Sequence, residues 1–152
     1  MKIKIEIEDN LTENEIVIHC NQIDENIKQI QEAIVSISRT QEKFILFKEE
    51  TEYYVSLNKI LFFETQENVV YAHTRKDVYQ TKLRLYELEN LLPDNFMRIS
   101  KSAILNLNHV FSITRNITAS SEVQFEGTHK QIYISRNYYK SMKSRLDEKR
   151  SF

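Results

Sequence analysis

From Lys43 onward the chain is a succession of short runs rich in aromatic and β-branched side chains, spanning residues 44–47, 53–57, 60–64, 69–74, 78–82, 96–100, 110–115, 123–126 and 131–135. Runs this short and this closely spaced leave no room for the long crossovers of a parallel sheet, so they predict a mainly β domain of antiparallel strands. Two helical stretches interrupt them. Leu85, Leu88, Leu91 and Leu92 make one apolar face, closed by Pro93, and Tyr138, Met142 and Leu146 space another near the C-terminus.

The first forty residues read differently. Ile3, Ile5 and Ile7 alternate with charged residues, and Ile16, Ile18 and Cys20 repeat that period after a polar turn, which predicts a hairpin. Asp24 is placed to cap a helix carrying Ile23, Ile27, Ile30, Ile34 and Ile37 on a single stripe. The expected organisation is therefore α+β overall: a small ββα segment over residues 1–40, then a mainly β domain over residues 43–152.

Several function classes drop out. The chain has one glycine, Gly127, and one proline, so it holds no P-loop and no dinucleotide fingerprint. Turns must fall to asparagine, and Asn58, Asn68, Asn95, Asn108 and Asn116 lie between apolar runs as that requires. His19, His73, His109 and His129 show no metal-ligand spacing, and Ser102 and Ser135 lack a nucleophile-elbow context. No catalytic residue, cofactor or metal is expected. A lone cysteine and the absence of a signal peptide or long apolar run point to a cytoplasmic protein.

The net charge of −1 conceals an uneven distribution. Residues 1–40 hold eight acids against four bases, whereas residues 101–152 hold nine bases against four acids. The basic end is where an anionic partner is expected. In the stretch from Phe96 to Val110, Arg98, Lys101, Ser102 and Asn106 stand among apolar anchors, and such groups suit phosphates and base edges.

Four stretches in fixed order resemble the successive signatures of the LytTR DNA-binding domain. They are Ile60-Leu61-Phe62-Phe63-Glu64, Val69-Val70-Tyr71-Ala72-His73, the Phe96-x-Arg98-Ile99-x-Lys101-Ser102-x-x-x-Asn106 stretch, and Ile134-Ser135-Arg136, with a leucine-rich helix between the second and third. The likeness covers about residues 43–146. It implies a bacterial transcription regulator, bound to double-stranded DNA at tandem or repeated promoter sites, that inserts loops rather than a recognition helix into successive major grooves. Many members carry a receiver domain, which forty residues cannot hold. Short members with a ββα front piece are closer, and for these the resemblance implies a small membrane protein that restrains them.

Carried over by position, the resemblance places base contacts on Asn68, Lys101 and Arg136. Ser102, Asn106, Ser135 and Asn137 become phosphate-positioning or loop-shaping groups, and Arg98 a structural or phosphate-facing one. Local chemistry leaves alternatives open. Asn68 also suits a plain turn, with Gln66 and Glu67 as other readers, and Lys101 also suits a phosphate clamp. Arg136 has the planar fork that fits guanine O6 and N7. Glu64 is expected to be an internal hydrogen-bond partner. Two other functions stay open: a single-stranded nucleic-acid binder stacking bases on Tyr53, Tyr54, Tyr71 or Tyr79, and a protein-interaction domain. The isoleucine stripe, which one hairpin covers only in part, predicts a homodimer.

Overall fold

The computed structural model describes residues 1–40 and 42–149, so Gln41 at the expected boundary, Arg150 among the counted bases, and Ser151 and Phe152 lie outside the described residues. The helices are α1 (Glu25–Thr40), α2 (Leu85–Leu91) and α3 (Arg136–Lys149). The strands are β1 (Lys43–Lys48), β2 (Thr51–Ser56), β3 (Phe62–Gln66), β4 (Val69–His73), β5 (Val78–Thr81), β6 (Phe96–Ser100), β7 (Ala103–Asn106), β8 (Val110–Thr114), β9 (Ser121–Phe125) and β10 (Gln131–Ile134). All pair antiparallel, in a seven-stranded sheet ordered β2-β1-β5-β4-β3-β7-β6 and a three-stranded sheet ordered β10-β9-β8.

Side-chain alternation along β3 and β7 builds two cores on opposite faces of the larger sheet. Phe63 and Ile104 point to the face covered by α2, where they meet Leu46, Leu88 and Phe96. Phe62, Ala103 and Leu105 point the other way, toward β9, β10 and α3, where Val123, Ile134 and Met142 are fully buried. Each such side chain contributes about 1.5–3 kcal/mol by leaving water. Strand β7 was not among the expected runs. Its four residues are buried on both faces, so Ala-Ile-Leu-Asn shows no alternation to read.

The front segment departs from expectation. Asp24 caps α1 as anticipated, with the Ile27 N–H donating to Oδ1 at 2.9 Å. No hydrogen-bonded ladder joins residues 3–7 to 16–20, however, although Lys4, Glu6 and Glu8 share a shallow groove with Glu15, Val17 and His19. The reason lies in packing. Ile3, Ile5 and Ile7 are all more than 80% exposed, and an isolated two-stranded hairpin without a covered apolar face is marginal in water. Cys20, expected to be a small core residue, is exposed. Ile23, expected on the stripe, precedes α1 and is exposed; on α1 itself Ile27, Ile30 and Ile34 are half-buried while Ile37 is exposed.

Candidate nucleic-acid interface

At one end of the larger sheet, three turns distant in sequence are fastened to one another by backbone hydrogen bonds. The first joins β3 to β4 through Glu67 and Asn68, whose φ angles of 50° and 67° are those of a two-residue hairpin turn with both central residues left-handed. Asparagine tolerates that conformation and glutamate does so at a cost of about 1 kcal/mol. The turn role of Asn68 is thus real, and its side chain remains exposed.

The second turn, between β6 and β7, presents Lys101. It is tied to the first by the Thr65 N–H, which donates to the Ser102 carbonyl at 2.8 Å. Its shape is held by Arg98, whose Nε donates to the Ser100 carbonyl at 2.7 Å while Nη2 donates to the Lys101 carbonyl and Nη1 pairs with Glu89 at 2.7 Å. The Ser100 hydroxyl adds a bond from the Ser102 N–H at 3.2 Å. Every nitrogen of Arg98 is engaged inside the protein, so the residue shapes the turn.

The third turn leads from β10 into α3. The Ser135 N–H donates to the Ile99 carbonyl at 2.9 Å, which pins the junction beside the Lys101 turn, and Tyr138 N–H donates to the Ser135 carbonyl at 3.0 Å as the helix begins. Arg136 and Asn137 follow, both exposed.

Six of the named residues line two clefts, and Ser102 and Asn106 line neither. Asn68, Arg98 and Lys101 line one, with Thr65, Arg84 and Tyr86. Ser135, Arg136 and Asn137 line the other, with Arg115, Asn116 and Tyr139. Sequence reasoning missed Arg84, Tyr86, Arg115 and Asn116. Arg84 and Tyr86 flank the start of the leucine-rich helix, and Arg115 and Asn116 open the β8–β9 loop, where only the turn-forming asparagine gave a signal.

Two expectations need correction. Asn106 is 1% exposed and cannot reach a phosphate: its Nδ2 donates to the Ile60 carbonyl at 2.9 Å, and its Oδ1 accepts from Asn95 Nδ2 at 2.8 Å and the Asn108 N–H at 3.1 Å. Its part is to shape the chain after β7. Glu64, expected to be an internal hydrogen-bond partner, is half-buried and makes no side-chain hydrogen bond among the described residues. Burial pushes its carboxyl above the ordinary value.

The basic end is also divided more finely than its composition suggests. Lys130 donates to the carbonyls of Thr74 and Asp77 at 2.7 and 2.6 Å, Arg145 to that of Asp94, and Lys149 to Asn108 Oδ1 at 3.1 Å. All three lie at the end of the sheet away from Asn68, Lys101 and Arg136. There too His73 stacks on Phe62 with centroids 4.4 Å apart, and burial, with Lys130 nearby, lowers its pKa to about 4. Of the candidate stacking tyrosines, Tyr54 is exposed and Tyr71 half-buried. Tyr53 and Tyr79 face each other at 5.2 Å, and Lys48 lies over both rings.

Comparison with known proteins bears on the family and the fold. A family model described as the LytTr DNA-binding domain matches residues 50–147. An uncharacterized HTH-type transcriptional regulator of Staphylococcus aureus strain NCTC 8325 is 30% identical over 146 residues, covering 96% of this chain and 98% of its own length. A counterpart in strain MRSA252 is 29% identical over the same span. Among solved structures, the LytTr DNA-binding domain of a Bacillus cereus protein named as a methyl-accepting/DNA response regulator superposes with a TM-score of 0.61 at 24% identity, covering 69% of this chain and 95% of that one.

Proposed function

The chain belongs to the LytTR family of DNA-binding domains, and from that premise we propose that it regulates transcription by presenting the three fastened turns to successive major grooves of double-stranded DNA. The observation that carries this reading is the linkage of the turns: Thr65 to Ser102 and Ser135 to Ile99 hold residues some seventy positions apart along one edge. A rigid edge suits readout, because groups that are already placed lose little freedom on binding. Arg136 reads a guanine, and Asn68 and Lys101 read or clamp the neighbouring groove. Ser102, Ser135 and Asn137 take phosphates, and Arg98 positions Lys101. The S. aureus relatives are named HTH-type regulators. In this chain the described helices are each separated by strands, which supports turns rather than a helix pair as the reading elements.

The front segment is the proposed contact to a second copy. Its exposed Ile3, Ile5 and Ile7 lie outside the domain's two cores, and two domains joined there would bind tandem sites with raised effective concentration. A small membrane protein is the other occupant of that face, favoured if the free protein sediments as a monomer. The function itself is tested by footprinting the purified chain on DNA upstream of its own gene, with single-stranded DNA as competitor. Protection that single strands do not relieve is expected. Equal competition by single strands would favour the stacking alternative.

A further inference from the structure

Arg115 and Arg136 line one cleft, the first from the start of the β8–β9 loop and the second from the first turn of α3. No carboxylate lines that cleft, and among the described residues neither guanidinium belongs to an ion pair, in contrast to Arg98 with Glu89. Two cations lining one cleft, with no carboxylate beside them, make it favourable to an anion.

Arg115 is not a loose surface side chain. Its Cζ lies 4.9 Å from the centre of the Tyr139 ring, and that ring packs on the second core. The backbone beyond it is also fixed: the Asn116 N–H donates to Ser121 Oγ at 3.1 Å, and Asn116 Oδ1 accepts from the N–H and the hydroxyl of Thr118, each at 3.2 Å. Stacking engages the flat face of the guanidinium and leaves its edge donors free, a combination lysine cannot reproduce.

We infer that Arg115 is a further DNA contact, a phosphate clamp beside Arg136 whose position is set by the ring of Tyr139. The inference rests on the reading that the β10–α3 junction faces DNA. A phosphate is the fitting ligand because the walls of a groove flanking a base reader are lined by backbone phosphates, and because contact there fixes register without carrying sequence information.

The test is fluorescence anisotropy of the full chain on its operator duplex and on single-base variants, across a range of salt. Arg115→Ala should weaken binding to every variant roughly tenfold, leave their ranking intact, and lower the salt slope by about 0.9. Tyr139→Phe keeps the ring and should bind like the unaltered protein. Tyr139→Leu should reproduce Arg115→Ala, and the two changes together should add little to either. Thermal melting of each variant, with Tyr139→Phe as the folded reference, separates this from loss of fold. Unchanged affinity and slope in Arg115→Ala, a reordered ranking at unchanged slope, or additive losses in the double variant would overturn the inference. An unaltered ranking in Arg136→Ala would instead remove the base-reading role while the Arg115 slope stood. Absence of duplex binding by the unaltered chain would remove both.

Discussion

Replacing Arg98 with alanine takes away, in one step, the donors that hold the Ser100 and Lys101 carbonyls and the partner of Glu89. The side chain is 24% exposed, and its Glu89 partner 42%, so the ion pair contributes at most about 1 kcal/mol. The carbonyl bonds are charge-assisted, but water can reach the turn once the guanidinium is gone, so together they account for about 1–2 kcal/mol. A loss of about 2 kcal/mol lowers the melting temperature of a chain this size by about 4–8 °C. Freed from its clamp, the Lys101 turn must be ordered at the moment of binding, and affinity should fall roughly tenfold for all sequences. The salt slope should not change, because no phosphate is lost. Calorimetry and anisotropy titrations read the two effects separately, and Arg98→Lys, which restores the pair with Glu89 without the fork, should fall between. A slope reduced by about 0.9 would place Arg98 on a phosphate, and an unaltered melting temperature would remove the clamp.

Three further outcomes follow from the same geometry. Asn106→Leu leaves the Ile60 carbonyl, Asn95 Nδ2 and the Asn108 N–H without their partner, and should cost about 3 kcal/mol in urea unfolding while the ranking of operator variants is kept. Asn68→Gly preserves the left-handed turn but deletes the amide, so stability should hold within about 0.5 kcal/mol while base discrimination at one position drops by about 1–3 kcal/mol; stable protein with unaltered discrimination would leave Asn68 a turn residue only. His73 is held neutral in the fold, with a pKa lowered from 6.5 to about 4, so its contribution is full above pH 6.5 and is lost as pH falls toward 4. Discounted for partial exposure, the loss should be about 1–2 kcal/mol, and unfolding of His73→Phe, which keeps the stack on Phe62, should lack it. Glu64, raised by burial, acts with the opposite sign above its ordinary 4.5, and comparison of the two proteins cancels it.

The strands legible in the sequence are those with runs of aromatic and β-branched side chains, which mark every strand but β7. The leucine spacing marks α2, and Asp24 marks the start of α1 by its capping chemistry. Strand β7 was hidden because burial on both faces removes alternation. The front hairpin was misread for the converse reason: residues 3–7 alternate perfectly, yet periodicity states only which side chains share a face, and nothing among the described residues covers that face. At the proposed interface, the resemblance pointed to Asn68, Lys101 and Arg136, which the structure leaves exposed, but gave no sign of the fate of Asn106 or Arg98. Both have donors suited to phosphate, and only tertiary structure shows their hydrogen bonds turned inward. Nor could composition separate Lys130 and Lys149, hydrogen-bonded at the far end of the sheet, from the exposed Arg136 at the other.

The most direct test of readout by Arg136 replaces the guanines of the footprinted operator, one at a time, with 7-deazaguanine, which lacks the N7 acceptor in the major groove. The unaltered chain should lose about 1–3 kcal/mol at one guanine, and Arg136→Ala should bind the natural and the substituted duplex equally there. Equal sensitivity of both proteins at every guanine would contradict the account.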